Sequence, residues 1–181
     1  MPAFGANPSR LSPVTLVLGG ARSGKSRYAE RLVEEAGSGG TYCATAEAGD
    51  AEMAERIAAH RARRGPFWRT IEAPLELAPA IAAEATPGRP VLVDCLTFWL
   101  SNLLLAGRQP AREADELVSA LRKAAGPVVI VANEVGMGLV PETPLGRCFR
   151  DAAGRLNQHV AALADRVVFV AAGLPLVLKG S

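Results

Sequence analysis

The sequence predicts an α/β fold in which a mostly parallel sheet carries helices on both faces. Short apolar runs rich in β-branched residues alternate with segments whose apolar residues recur at helical spacing. The strand-like runs are continuously apolar, which is typical of parallel strands buried on both faces. With 181 residues, the chain is long enough for one such core and too short for two.

The individual elements follow this alternation along the chain. A strand at 14–18 stops at a glycine pair, and a helix is predicted from residue 25 to about residue 35. Further strands are predicted at 41–45, 91–94, 127–133 and 167–172, and further helices at 50–64 and 145–165. Residues 1–13 are expected to form a flexible tail, and residues 14–181 a single domain. Because ligands of parallel α/β sheets bind beyond the carboxyl ends of the strands, the loops there are the expected site.

Composition and charge exclude several classes of protein. The chain is 49% hydrophobic and 21% charged, which is ordinary for a folded globular protein. A net charge of only +2 argues against a nucleic-acid partner. No stretch approaches about 18 uncharged apolar residues, so we expect no membrane span and a cytoplasmic location. The three cysteines lack any Cys-x-x-Cys spacing, and we expect Cys43 and Cys95 to be small buried residues.

A complete phosphate-binding motif joins the first strand to the first helix. Its eight residues match G-x-x-x-x-G-K-[ST]; they are Gly19, Gly20, Ala21, Arg22, Ser23, Gly24, Lys25 and Ser26. Backbone N–H groups of such a loop surround phosphate oxygens, and the helix N-terminus adds its positive end. We expect Lys25 to reach the β and γ phosphates of ATP or GTP, and Ser26 to bind Mg²⁺. The chain is therefore predicted to be a P-loop nucleotide-binding enzyme.

Asp94 is the candidate for a second magnesium ligand. It ends the predicted strand at 91–94, where P-loop enzymes commonly place a carboxylate that holds the metal through water. The alternative is that Asp94 only caps the helix that begins near Leu96.

His60 is the candidate nucleophile, although its spacing alone is a weak signal. It is followed by Arg61, Arg63 and Arg64, and an imidazole beside guanidinium groups can attack a phosphorus atom. The alternative is a solvated basic helix end. His159 has no such neighbours and is interpreted as a structural or surface residue. Glu72 closes a short strand-like piece at 68–72, and by spacing alone it is better explained by turn chemistry or an ion pair.

Four segments together resemble one family. They read VLGGARSGKSRYAE, YCATAEAGDAEMAERIAAHRARRGPFWRTIEAP, VLVDCLTFWLSNLL and VANEVGMGLVPETPLGRCFRDAAGRLNQHVA. The chain is similar over almost everything after residue 13 to the bifunctional adenosylcobinamide kinases and adenosylcobinamide-phosphate guanylyltransferases of cobalamin biosynthesis. The resemblance implies phosphorylation of adenosylcobinamide by ATP or GTP. It then implies transfer of GMP from GTP to adenosylcobinamide phosphate, which gives adenosylcobinamide-GDP and pyrophosphate.

The resemblance also implies residue roles. His60 takes the place of the family's GMP-carrying histidine, and the motif of residues 19–26 binds the nucleotide. The further nucleotide-binding positions implied are Ala44, Thr45, Ala46, Arg61, Ala62, Arg63, Arg64, Glu72 and Asp94. The chain departs from some relatives at two positions, since they carry a second histidine in place of Ala59 and a glutamate in place of Asp94.

The resemblance further implies a homo-oligomer, and a trimer is described for one relative. Two other functions remain open from the residues themselves. The first is a small-molecule P-loop kinase without guanylyl transfer. The second is a GTP-dependent switch, although Asn133 is followed by Glu-Val-Gly and not by the Lys-x-Asp that usually reads guanine.

Overall fold

The computed structural model describes residues 11–47, 55, 58 and 64–180. The strands of this part of the chain are β1 (Val14–Gly19), β2 (Gly40–Ala44), β3 (Trp68–Glu72), β4 (Val91–Asp94), β5 (Val128–Asn133), β6 (Arg166–Ala171) and β7 (Leu174–Lys179). The helices with described bounds are α1 (Lys25–Ala36), α2 (Leu77–Glu84), α3 (Leu96–Leu105), α4 (Pro110–Lys123) and α5 (Pro144–Leu163).

These strands form one sheet in the order β3-β2-β4-β5-β1-β6-β7. All the pairings from β3 to β6 are parallel, and β7 runs antiparallel to β6 at the edge. Parallel pairing brings the carboxyl ends of β1 to β6 to the same rim. The α/β class with a mostly parallel sheet is therefore confirmed.

The sheet has a buried layer on each face. On one face, α1 contributes Ala29 and Val33, which pack with the strand residues Val17, Val131 and Val168. The opposite face is covered by α2 to α5, and its cluster includes Trp99, Leu117 and Leu156. Alternate residues of β5 face opposite layers, as the two-residue period of a strand requires. Continuous apolar runs in the sequence thus correspond to strands with two buried faces.

The predicted elements match the structure to within about two residues at their ends. In the helix predicted at 50–64, Glu55 and Ala58 are helical and Arg64 is not, while its other residues lie outside the described part. The helices α2 and α4 and the strand β7 were not predicted. β7 carries Pro175 and ends the sheet, where proline is tolerated because one side of an edge strand is unpaired.

The last residues of the predicted tail contact the folded domain. Leu11 packs on the α1 face, and the Pro13 carbonyl accepts a hydrogen bond from the Val128 N–H at 2.9 Å.

Cys43 and Cys95 are buried as expected, and Cys148 is exposed. Burial raises the pKa of Cys43 to about 12 and that of Cys95 to about 11. Among the described residues, no helix is both long and apolar enough to span a bilayer.

Candidate active site

The P-loop leads from β1 into α1 with its amides uncovered by side chains. Gly24 is the N-cap of α1, and no side chain caps the first turn. In α5, by contrast, the Thr143 side chain accepts a hydrogen bond from the Gly146 N–H at 3.1 Å. The first turn of α1 also contains no acidic residue of its own. This helix end is thus available to an anion such as a phosphate group.

Two glycines of the motif are required by the local geometry. A Cβ atom on Gly19 would lie 2.5 Å from the Ser23 Oγ and 2.5 Å from the Val170 carbonyl oxygen. Gly24 has a φ of +95°, a left-handed conformation that side chains disfavour. Gly20 occupies a variable position of the motif, and its Cβ would meet nothing within 4 Å. The fixed glycines of the motif are therefore the ones that the structure needs.

The loop is braced by two neighbouring strand ends. The Gly173 N–H, in the turn between β6 and β7, donates to the Ser23 carbonyl at 2.8 Å. The Glu134 N–H, directly after β5, donates to the Gly19 carbonyl at 3.1 Å. Within the described part of the chain, the buried Ser23 Oγ has no hydrogen-bond partner. The loop is thus held from outside while a polar group within it is left for a ligand or water.

Lys25 lies in the loop with most of its surface covered. It is 8% exposed, and its Nζ donates to the Gly20 carbonyl at 3.0 Å. Burial lowers the pKa of Lys25, while Cys95 and Asp94 act in the opposite direction. A cation held this way lacks a full counter-charge, which a nucleotide phosphate would supply.

Asp94 turns towards the P-loop and not towards the helix that follows it. Its Oδ1 accepts a hydrogen bond from the Ser26 Oγ at 3.5 Å, and its Oδ2 accepts one from the Tyr42 hydroxyl. The N-cap of α3 is Cys95, with no side-chain capping bond, so the capping alternative does not describe this structure. The strand that ends at Asp94 is not adjacent to β1, because β5 lies between them.

The pair Ser26 and Asp94 fits a magnesium ion that a nucleotide brings with it. Mg²⁺ prefers oxygen ligands, keeps several waters and commonly takes only one or two ligands from the protein. A hydroxyl and a carboxylate supply that donor set. Among the described residues, no three His, Cys, Asp or Glu side chains come together as a ready-made metal site. The geometry is therefore suited to a metal shared with phosphate oxygens.

Strand register aligns three further candidate residues across the rim. Ala44 is paired with Glu72 of β3 on one side and with Asp94 of β4 on the other. Glu72 is exposed at the end of its strand. This alignment depends on strand order, which the sequence alone does not give.

Thr45 shapes the rim without exposing its side chain. It is completely buried, and its hydroxyl accepts from the Cys95 N–H at 2.8 Å and donates to the Cys95 carbonyl at 2.7 Å. The Thr45 carbonyl accepts from the Asn102 side chain at 2.8 Å. Its side chain is therefore committed to holding β2 and β4 together. Of its neighbours, Ala46 is half-buried.

Arg64 is the only member of the predicted basic cluster among the described residues. Its guanidinium carbon lies 3.3 Å from the centroid of the Tyr42 ring, and its Nη1 donates to the Thr70 Oγ1 at 3.2 Å. His60, Arg61, Ala62 and Arg63 lie outside the described residues. His159, the other histidine, is exposed on α5.

Tyr42 is the residue at this site that sequence reasoning missed. It contacts both Asp94 and Arg64 and is 1% exposed. Burial, followed by the Asp94 carboxylate, raises the pKa of Tyr42, so the hydroxyl remains a donor. A tyrosine within an apolar strand looks like an ordinary core residue. The available signal was its position in the sequence, two residues before Ala44 at the carboxyl end of the strand.

The fold and the loop define a P-loop nucleotide-binding protein of the α/β class. The family model described as cobinamide kinase / cobinamide phosphate guanyltransferase matches residues 15–178. The chain therefore belongs to that family.

Similar proteins carry names in agreement with this assignment. The bifunctional adenosylcobalamin biosynthesis protein CobP of Pseudomonas aeruginosa is 53% identical over 91% of this chain and 96% of its own length. The CobU proteins of Escherichia coli and Salmonella typhimurium are each 42% identical over 91% of this chain and 98% of their own. The flagellar accessory protein FlaH of Methanocaldococcus jannaschii has a TM-score of 0.55 at 12% identity, covering 94% of this chain and 80% of its own, and shares the fold.

Proposed function

We propose that this chain catalyses two successive reactions on a corrinoid. It phosphorylates the aminopropanol hydroxyl of adenosylcobinamide with ATP or GTP, and it then transfers GMP from GTP to the phosphate so formed. The products are adenosylcobinamide-GDP and pyrophosphate. The observation that carries this proposal is the family match over residues 15–178 of a chain whose P-loop meets Asp94 at the sheet rim.

For the kinase reaction, the residues of the P-loop position the nucleotide. The backbone amides at the start of α1 hold the phosphates, and Lys25 neutralises charge on the β and γ groups. Ser26 and Asp94 would hold Mg²⁺, which withdraws charge from the phosphate oxygens when bound. The corrinoid hydroxyl forms a bond to the γ-phosphorus while the bond to the β–γ bridging oxygen breaks. The hydroxyl proton leaves to solvent or to a base.

For guanylyl transfer, we assign the nucleophile to His60. A ring nitrogen of His60 forms a bond to the α-phosphorus of GTP, and the bond to the α–β bridging oxygen breaks to release pyrophosphate. A phosphate oxygen of adenosylcobinamide phosphate then attacks the same phosphorus, and the P–N bond breaks to restore the histidine. Dividing the transfer into two steps lets one site accept two bulky substrates in turn.

The neighbouring predicted residues have supporting roles in this proposal. Arg61, Arg63 and Arg64 neutralise the phosphates during transfer, with Ala62 contributing backbone contacts. Glu72, Ala44 and Ala46 contact the nucleoside from the rim. Thr45 acts through the backbone, because its hydroxyl is shared with Cys95. Since the two reactions attack different phosphorus atoms, we also propose that the nucleotide or the segment with His60 changes position between them.

We also propose that the protein forms a homo-oligomer and acts in the cytoplasm, where ATP and GTP are abundant. Large apolar side chains at two places support self-association. After β5, Met137 is 80% exposed and Leu139 is 96% exposed, and on β7 Leu174 is 65% exposed. Exposed apolar patches commonly mark protein interfaces. Light scattering on a sizing column gives the mass directly, and a monomer at micromolar concentration would contradict this part of the proposal.

The function is tested by following both products. Purified protein is incubated with adenosylcobinamide, Mg²⁺ and either ATP alone or ATP with GTP, and the corrinoids are separated and weighed by mass spectrometry. We expect the phosphate with ATP alone and the GDP derivative with both nucleotides. His60→Ala should stop at the phosphate, whereas His159→Ala should behave like the wild type. Formation of the phosphate alone by the wild type would favour a kinase without guanylyl transfer.

A further inference from the structure

Tyr42 links two parts of the proposed machinery that belong to different segments of the chain. Its ring is buried on the α1 face of the sheet, in β2. Its hydroxyl donates to the Oδ2 of Asp94, and its ring face lies 3.3 Å from the guanidinium carbon of Arg64. The hydroxyl and the ring therefore contact different partners. The effects of the two contacts can therefore be measured separately with substitutions that remove one contact at a time.

The hydroxyl determines which way the Asp94 carboxylate faces. With Oδ2 engaged by Tyr42, Oδ1 is the oxygen turned towards the Ser26 hydroxyl at 3.5 Å. Partners that hold a ligating carboxylate in one orientation commonly contribute about 10-fold to 100-fold to metal affinity. Because Tyr42 is 1% exposed, water cannot readily replace its hydroxyl at this carboxylate. Tyr42 thus acts on the proposed magnesium site through Asp94 and does not contact the metal itself.

The ring determines where the arginine lies. Tyr42 is paired with Thr70 of β3, and Arg64 contacts both, stacking on the ring and donating to the Thr70 Oγ1 at 3.2 Å. A guanidinium over an aromatic ring is attracted by the negative face of the ring, and the attraction is stronger where water is excluded. Tyr42 and Thr70 together therefore hold the Arg64 guanidinium beside β2 and β3.

We propose that Tyr42 is a positioning residue for both reactions. Its hydroxyl orients Asp94 for the metal, and its ring anchors Arg64 at the end of the segment that carries His60. This inference rests on the proposed function for the role of His60. The part concerning Asp94 needs only Mg²⁺-dependent nucleotide binding. A single buried side chain thereby couples the P-loop to the guanylyl-transfer segment.

The test separates the two contacts with Tyr42→Phe and Arg64→Gln. Tyr42→Phe removes the hydroxyl and keeps the ring, whereas Arg64→Gln removes the stacked cation and keeps the hydroxyl. The control is Tyr28→Phe, which removes a hydroxyl from the only other tyrosine. Thermal unfolding first establishes that each variant is folded. Two quantities are then measured on each full-length protein.

The first quantity is the Mg²⁺ concentration that gives half-maximal binding of the α,β-methylene analogue of GTP, which cannot transfer GMP. Calorimetric titrations over a range of MgCl₂ concentrations provide it. We expect Tyr42→Phe to raise this concentration about 10-fold, and Tyr28→Phe to leave it within about 2-fold of the wild type, a change worth less than 1 kcal/mol. An unchanged value in Tyr42→Phe would overturn the role of the hydroxyl.

The second quantity is the rate at which GMP becomes attached to the protein at saturating Mg²⁺. We expect Arg64→Gln to lower this rate about 10-fold or more, as loss of an oriented cation at a phosphoryl site does, while Tyr42→Phe stays near the wild-type rate. Tyr42→Leu should show both defects. Equal labelling by Tyr42→Leu and Tyr42→Phe would overturn the role of the ring. If the wild type takes no label, the guanylyl-transfer part of the proposed function fails, and the Mg²⁺ titration still decides the hydroxyl contact.

Discussion

The two ends of the sheet are built from different kinds of residue. At the carboxyl ends of the strands lie glycines, a buried lysine and a carboxylate that faces a serine. At the amino ends, prolines stand directly before three strands, namely Pro13 before β1, Pro90 before β4 and Pro127 before β5. The cavity there is lined without a charged side chain. The carboxyl ends of the strands leave polar groups available to a ligand, whereas at the amino ends the backbone groups are hydrogen-bonded to one another.

The proline carbonyls show how the amino end is closed. Pro13, Pro90 and Pro127 each accept one backbone hydrogen bond at 2.9 Å, from Val128, Thr41 and Val91 respectively. Because proline has no N–H, it adds an acceptor at the sheet end without adding a buried donor. The comparison indicates that substitutions at the amino end should change stability, and substitutions at the carboxyl end should change activity.

The largest effect is expected at the carboxyl end, from Lys25→Met. The variant keeps the length of the side chain and removes the cation that neutralises the phosphates. We expect kcat for both reactions to fall about 100-fold to 1000-fold. Steady-state assays of adenosylcobinamide phosphate and adenosylcobinamide-GDP formation measure it. Activity within about 10-fold of the wild type, less than 1.4 kcal/mol, would show that the loop works without this charge.

The matching substitution at the amino end is Gly126→Ala. A Cβ atom there would lie 2.1 Å from the Thr86 carbonyl oxygen, so the backbone has to move. We expect a loss of about 3 kcal/mol in the free energy of unfolding, with the KM for GTP unchanged. Urea denaturation and steady-state kinetics provide the two numbers. As a control, Gly154→Ala in α5 meets nothing within 4 Å and should be neutral or slightly stabilising. A changed KM in Gly126→Ala would contradict the expectation that substitutions at the amino end affect stability and not activity.

Within the motif, the two consecutive glycines should differ in their effect on stability. Gly19→Ala places a methyl group 2.5 Å from both Ser23 and Val170, whereas Gly20→Ala enters open space. We expect the first to lower the free energy of unfolding by about 2 kcal/mol and the second by less than about 0.5 kcal/mol. Denaturant titrations of the nucleotide-free proteins compare them. Equal losses would mean that the loop adjusts to a side chain at either position.

The smallest effect concerns the stability cost of the buried lysine. Burial lowers the pKa of Lys25 below its ordinary value of 10.5, so the unfolded chain binds more protons between the two pKa values. Lys25 therefore costs stability at neutral pH, and this cost declines as pH rises towards 10.5. We expect Lys25→Met to unfold a few degrees higher than the wild type at pH 7, on the order of 1 kcal/mol. Calorimetry should show a smaller difference at pH 10, and a widening difference would contradict the argument.

Most of the sheet could be predicted from the sequence because its strands are buried on both faces and read as continuous apolar runs. The exposed edge strand β7 lacks that signal and was missed. The P-loop could be predicted in full, because its residues are consecutive and their context is local. The contacts of Asp94 with Ser26 and Tyr42 depend on strand order, with a strand inserted between β1 and β4. The arginines that follow His60 are only a weak signal for a nucleophile, which the resemblance to a family strengthened, and His60 is not among the described residues.

The most direct test of the account is whether GMP becomes covalently attached to His60. Wild type, His60→Ala and His159→Ala are incubated with Mg²⁺ and GTP labelled at the α-phosphorus, denatured, and counted for label that acid removes and alkali does not. We expect label on the wild type and on His159→Ala, and none on His60→Ala. Equal label on His60→Ala would contradict the assigned nucleophile. No label on any of the three would reduce the proposal to a kinase.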